Sequence, residues 1–263
     1  MGAVYLAWQE GLSRQVAVKV LMKDRFDQLI TAERFLQEAE TAANLNHPNI
    51  VTVFGQGERE DCFWFAMQFI EGPSLAEWLR RRSKHPIPSK RPILLAEIRD
   101  LARQLLEALA HGHASGVIHR DIKPENILWA GSTGRAIITD FGLACVNYFS
   151  HEVEKHFILG SPLYVSPEQA RGDDLDGRAD LFSLGCVLLE LTLGYLPVRV
   201  ERPEKIFRTR ASEDPRMFTG MPRSLNPLIP ETWDNFLRKA LAPARSLRYR
   251  DANEMIEALS RAL

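Results

Sequence analysis

A chain of 263 residues, 45% hydrophobic and 25% charged, has room for one large domain or for two small lobes around a shared cleft. Its 33 basic and 34 acidic residues leave a net charge of −1, which excludes the basic surplus that general nucleic-acid binding requires. Three widely spaced cysteines, Cys62, Cys145 and Cys186, give neither a disulfide framework nor a zinc spacing, and read as reduced thiols of a cytosolic interior.

Residues 1–20 lack the basic start and apolar run of a signal peptide. Residues 3–8 and 15–21 (QVAVKVL) are apolar and β-branched, which predicts two strands joined by a turn at Glu10-Gly11. Between Thr31 and Leu45 the residues Ala32, Phe35, Leu36, Ala39, Ala42 and Ala43 recur at helical spacing, and His47-Pro48-Asn49 ends that helix. NIVTVFGQGE and CFWFAMQFI predict two strands around a glycine-containing turn. Leu75 to Arg82 predicts a short helix, residues 83–92 (SKHPIPSKRP) a basic, proline-punctuated loop, and Ile93 to Ser115 a long helix. Short strands are expected in GVIHR, NILWA and RAIITD, then a loop, then helices to the end. The apolar run Leu181–Val198 is nearly long enough to span a membrane. Glu190 and Pro197 interrupt it and Arg178 and Asp180 precede it, so it reads as a buried helix. The order predicts an α+β chain with a small β-rich lobe over residues 1–70, a hinge near 68–73 and a larger helical lobe over 71–263.

The chemistry is concentrated in HRDIKPENIL (119–128) and ITDFGLA (138–144). Asp121, Asn126 and Asp140 bring three oxygen-bearing side chains to loops beside short apolar strands. Hard cations such as Mg²⁺ take oxygen ligands and share them with phosphates. Lys123 adds a cation suited to charge developing on a transferring phosphoryl group. Asp121 can accept a hydroxyl proton as that hydroxyl attacks.

With these blocks in this order, the sequence resembles the protein kinase superfamily, in particular the bacterial Ser/Thr kinases of eukaryotic type, over essentially the whole chain. The resemblance implies a bilobal fold, ATP and Mg²⁺ as cofactors, a protein substrate with a Ser or Thr acceptor, and a cytoplasmic location for this domain. It implies that Asp121 is the catalytic-loop aspartate and that Lys123 steadies the γ-phosphate. The same resemblance implies that Asn126 and Asp140 hold the metal and that Lys19 in VAVKV grips the α- and β-phosphates. Periodicity leaves Glu38 and Glu40 both open as the ion-pair partner of Lys19, and the resemblance selects Glu38. The adenine site is expected at the hinge AMQFIEG, with Met67 in the gatekeeper position and Gln68 and Ile70 beside it. Val4, Ala17 and Leu128 are expected to sandwich the ring, and Gly2 to belong to the phosphate-covering loop.

GSPLYVSPEQA (160–170) resembles the end of an activation segment spanning 140–168. There Ser161 is expected to bond Asp121 and Lys123, Glu168 to pair with Arg248, and Asp180 to brace the catalytic loop. Two departures stand out. No threonine occurs between Phe141 and Leu191, so the usual activation-loop phosphothreonine is missing. Ser150, or the charges of Glu152 and Glu154, are the candidates to engage Arg120 instead. The glycine-rich turn survives only as Gly2 and Val4, so Met1 is expected to be an internal methionine or the edge of a fragment. Two other functions compete. A nucleotide-binding pseudokinase scaffold would ordinarily have lost one of the four key residues, all present here. A small-molecule phosphotransferase would lack a segment ending in Pro-Glu and its downstream arginine. Lys123 disfavours tyrosine specificity.

Overall fold

The structure is a computed structural model that describes residues 3–23, 43–84, 93–131, 133–141, 162–198, 202–214 and 217–262. Four strands form one antiparallel sheet: β1 (Ala3–Gln9), β2 (Arg14–Met22), β3 (Val53–Glu58) and β4 (Cys62–Gln68), in the spatial order β1-β2-β4-β3. β1 and β2 are joined by a short 3₁₀ turn at Glu10–Leu12, where the chain was expected to reverse. The glycine-containing turn expected between β3 and β4 is corrected. The reversal at 59–61 holds no glycine, and both Gly55 and Gly57 lie within β3. The reason at Gly57 is a close approach. Its cross-strand partner is Trp64, and a Cβ there would stand 2.5 Å from the indole. The helix expected over 31–45 lies almost wholly outside the described residues.

Among the described residues, the rest is helical around one two-stranded hairpin. Helix α1 (Leu75–Ser83) starts where the Ser74 hydroxyl accepts the Glu77 N–H at 3.2 Å. Helix α2 (Leu95–Ala114) is followed by the hairpin β5 (Ile127–Ala130) and β6 (Arg135–Ile138). Then come α3 (Pro167–Arg171), α4 (Arg178–Leu193), α5 (Pro203–Ala211), α6 (Pro222–Leu225), α7 (Glu231–Ala240) and α8 (Ala252–Ala262). The strand expected in GVIHR does not form. The backbone N–H groups of His119 and Arg120 go to the Asp180 carboxylate instead of to a neighbouring strand.

Helix α4 carries the apolar run only as far as Leu193, where Gly194 caps it short of the expected Val198, and is buried nearly all round from Ala179 to Leu189. It lies at the centre of the larger core with Leu105 and Leu109 of α2, Trp233 and Leu237 of α7 and Met255 of α8. Among the described residues no helix is long and apolar enough to cross a membrane. A second cluster, including Val51, Phe65, Met67, Ile70 and Ile137, joins the sheet to the β5–β6 hairpin. The backbone reinforces that junction: Val51 donates to the Ile138 carbonyl at 2.9 Å and Ile138 to the Asn49 carbonyl at 2.8 Å. Buried Asn49 adds bonds to the Ala136 carbonyl at 2.7 Å and to Gln104 at 2.8 Å. Past Gln68 the chain leaves the sheet and crosses to the helices. At Gly72 it runs so close to β5 that a Cβ would meet the Trp129 carbonyl oxygen at 2.1 Å.

The end of the 162–171 segment is fixed by one buried ion pair. Arg248 holds Glu168 through two parallel bonds of 2.6 and 2.9 Å, with both side chains out of water. Its remaining donors reach the carbonyls of Ala242, Pro243 and Arg178. Removing one partner leaves an uncompensated buried charge. Arg248→Met is therefore expected to destabilise the domain by about 3–5 kcal/mol in chemical denaturation. The double variant Glu168→Leu/Arg248→Met should recover a large part of that loss, because no lone carboxylate remains.

Candidate active site

The catalytic loop is held from beneath by Asp180, at the start of α4. Its carboxylate is fully buried. It accepts the His119 N–H at 2.8 Å, the Arg120 N–H at 2.8 Å and a bond with His113 Nε2 at 2.8 Å. Burial alone would push this carboxyl up. The hydrogen bond and charge of His113, with His119, outweigh it, and the group is held below the ordinary aspartate value. Its contribution to stability is thus present above the unfolded aspartate range and is lost as pH falls through the lower, folded value. Gly177 lets His113 in, since a Cβ there would stand 2.5 Å from the imidazole.

His119 has no exposed surface. Its Nδ1 accepts the Asp121 N–H at 3.2 Å and its Nε2 stands 2.8 Å from the Thr139 carbonyl, a pairing that suits the neutral Nε2–H tautomer. The ring meets Phe141 edge-on at 4.8 Å. Phe141 fits against α2 because Gly112 has no side chain, and a Cβ there would lie 2.6 Å from the phenyl ring. One buried histidine therefore links the loop of Asp121 to the stretch carrying Asp140. Arg120 and Asp140 both have left-handed backbones, at φ 67° and 62°, an uncommon state for residues with a Cβ. Gln169 of α3 holds the Arg120 carbonyl at 2.7 Å.

At the surface of this scaffold, the Lys123 ammonium contacts both oxygens of Asp121, at 2.9 and 2.7 Å. The Asn126 amide donates to the Asp121 carbonyl at 2.8 Å and to its Oδ2 at 2.9 Å. Both amide hydrogens of Asn126 are thereby used, and its carbonyl oxygen is left as the atom that can ligate a cation. The Thr139 N–H donates to the main-chain carbonyl of Asn126 at 2.9 Å, which sets Asp140 beside Asn126. Asp121 keeps 30% side-chain exposure, enough to meet a substrate, while Lys123 keeps 11%.

Lys19 on β2 reaches across to Asp140, Nζ to Oδ1 2.7 Å. Its expected partner Glu38 lies outside the described residues, as do Gly2, Ser150, Glu152, Glu154 and Ser161. Ala17, Met67, Ile70 and Leu128 lie together in the cluster between sheet and hairpin. Met67 and Ile70 are buried there, and Ala17 and Leu128 keep partial exposure. Val4 is 62% exposed on β1, where it pairs with Lys19 across the sheet, and it stands outside that cluster. Gln68 ends β4, with its N–H bonded to the Thr52 carbonyl at 2.8 Å.

Sequence reasoning did not find His113, Asn49 or Gln169. Only Gln169 carried a local signal, three residues after the cap in a Ser166-x-x-Gln169 capping box that the structure forms. Among the described residues, no group of three or more His, Cys, Asp or Glu side chains could hold a metal ion. A pair such as Asp140 and Asn126 suits a cation that completes its shell with phosphates and water.

The family model for the protein kinase domain matches residues 1–258. Over 255 residues the chain is 35% identical to the serine/threonine-protein kinase PrkC of Bacillus subtilis, covering 97% of this chain and 37% of the relative. It is 34% identical over 261 residues to PknB of Mycobacterium tuberculosis, covering 97% and 40%. The chain thus spans about two fifths of the length of these curated relatives. Among solved structures, the PknI kinase domain of Mycobacterium tuberculosis superposes with a TM-score of 0.77 at 26% identity, covering all of this chain and 92% of that one. With the buried aspartate, the catalytic loop and the Asp140 stretch arranged as described, the sequence and the fold agree that this chain belongs to the protein kinase family.

Proposed function

We propose that this chain is a serine/threonine protein kinase catalytic domain that transfers the γ-phosphoryl group of Mg-ATP to a protein hydroxyl. The observation that carries the reading is the Asp121 carboxylate, partly exposed and fixed by Lys123 and Asn126 beside Asp140. An acceptor hydroxyl seated on Asp121 is oriented for attack. As its oxygen bonds to the γ-phosphorus, its proton passes to Asp121, and the bond to the β-phosphate oxygen breaks with its electrons leaving on ADP. Lys123, 2.7 Å from Asp121, would stabilise the negative charge that develops on the phosphoryl oxygens.

Asp140 and the side-chain oxygen of Asn126 are the groups that would hold Mg²⁺. When bound, the metal neutralises phosphate charge. Lys19 then exchanges its contact with Asp140 for the α- and β-phosphates. Ala17 and Leu128 offer the apolar faces for adenine, Met67 and Ile70 back them, and the backbone at Gln68 and beyond lies where the ring edge would be read. The similarity to serine/threonine-protein kinases supports a Ser/Thr acceptor, as does Lys123. A cytoplasmic location for this domain is part of the same reading.

Two outcomes test it. Asp121→Asn should bind Mg-ATP like the parent and lose phosphotransfer by a factor of roughly 10² or more. Asp140→Asn should weaken Mg-nucleotide binding as well, measured by calorimetry. A parent chain that binds Mg-ATP and transfers nothing to protein substrates would favour the scaffold alternative. Gly112→Ala examines the position of the 140–141 stretch. Alanine favours a helix by about 1 kcal/mol over glycine, yet its methyl collides with Phe141, so turnover should fall about tenfold while thermal stability changes little. Unchanged turnover would show that Phe141 does not position Asp140.

A further inference from the structure

Arg210, near the end of α5, is 1% exposed, among the most deeply buried large side chains of the described structure. Arginine is almost never fully buried unless paired. Arg248 obeys that rule through Glu168, but Arg210 does not. One guanidinium nitrogen donates to the Leu163 carbonyl at 2.7 Å and the other lies 2.7 Å from Met217 Sδ. The group sits over the rings of Phe218 at 4.5 Å and Phe182 at 5.1 Å. Its remaining contact is Cys186 Sγ at 4.0 Å. Burial pushes that thiol up, against the charges of Arg210 and Arg248, to about 11, so it is no anionic partner. Among the described residues no carboxylate meets this cation.

A Leu or Met in this place would fill the space without a desolvated charge. What the arginine adds is a strong donor aimed at one backbone carbonyl in the 162–166 stretch. That stretch is pinned at successive residues. Leu163 is held by Arg210, the Tyr164 carbonyl accepts Ser183 Oγ at 2.8 Å, and Ser166 caps α3. Through Gln169 the same segment holds the Arg120 carbonyl, next to Asp121. A second tether runs from Arg171 to the Ala211 carbonyl at 3.4 Å and to Glu213 at 2.8 Å, so α5 grips both ends of residues 163–171.

We propose that Arg210 is a positioning residue for the acceptor protein. It fixes the Leu163 carbonyl, and with it the main chain that carries the acceptor peptide beside Asp121. This rests on the kinase reading above. It predicts an effect on peptide recognition with little effect on nucleotide or on the chemical step, because among the described residues Arg210 touches none of those assigned to the nucleotide.

The test compares the parent with Arg210→Met, which keeps the volume and the sulfur and aromatic packing but loses the donor. Arg210→Leu, which also lacks a donor, serves in its place if the first variant does not fold. Two readouts are taken: steady-state kinetics with varied peptide and varied ATP, and amide hydrogen exchange of the nucleotide-free protein. The proposal expects the peptide KM to rise about tenfold, with kcat and the ATP KM within twofold. Amides 163–166 should exchange at least tenfold faster while those of α4 and α7 are unchanged, and the melting temperature should be equal or higher. Unchanged peptide KM and unchanged exchange at 163–166 would overturn it. So would faster exchange throughout the helical region with a parallel fall in kcat, which marks a general structural role. If the parent itself transfers no phosphate, the kinase reading fails, and the exchange measurement still decides whether Arg210 holds this segment.

Discussion

A single buried carboxylate organises the centre of this molecule. Asp180 has no solvent, and a lone charge in that position would cost several kcal/mol. It is tolerated because three donors converge on it: two consecutive backbone N–H groups and an imidazole nitrogen. The exchange works in both directions. The carboxylate is satisfied, and residues 119–120, which have no strand partner, gain the hydrogen bonds that buried backbone requires. It also holds in place the left-handed backbone at Arg120, which directs the chain into Asp121. Because α4 is packed on all sides, the anchor cannot shift without disturbing the largest core of the domain.

From this anchor the constraints spread outward in order. His119 carries them to Thr139 and Phe141, and so to Asp140. Asn126 and Lys123 carry them to the Asp121 side chain. Gln169 carries them to the 162–171 segment, which Arg248 and Arg210 secure from two further helices. The two arginines show different solutions to one problem. Arg248 is neutralised by Glu168 and saturated with carbonyls, whereas Arg210 is stabilised by one carbonyl, a thioether and two ring faces. The first is a fastening whose loss exposes a buried charge. The second holds a backbone atom at some cost in desolvation, which is why the structure points to function there.

Much of this was legible in the sequence. The strands at 3–9 and 14–22, the helices beginning at Leu75 and Leu95, and the buried helix after Asp180 follow from periodicity and composition. The Glu168–Arg248 pair and the bracing by Asp180 followed from the family resemblance, not from any local pattern. What escaped depended on contacts distant in the chain. GVIHR has the composition of a strand, but Asp180, 61 residues from His119, takes its donors. Gly57 looked like a turn residue, and only the cross-strand position of Trp64 shows why a side chain is excluded. His113, Asn49 and Arg210 act through partners 20 or more positions away, save for Met217 and Phe218, and nothing adjacent to them signals it.

The most direct measurement is the phosphotransfer rate of Asp180→Asn beside its affinity for Mg-ATP, in protein shown to be folded. Asparagine keeps the shape of the side chain but offers one acceptor oxygen in place of two, and presents an amide donor to groups that are themselves donors. If Asp180 sets the catalytic loop, transfer should fall by a factor of roughly 10² or more, while Mg-ATP affinity, which depends on Lys19, the hinge and Asp140, stays within a few-fold. A folded variant that transfers phosphate at the parent rate would contradict the account.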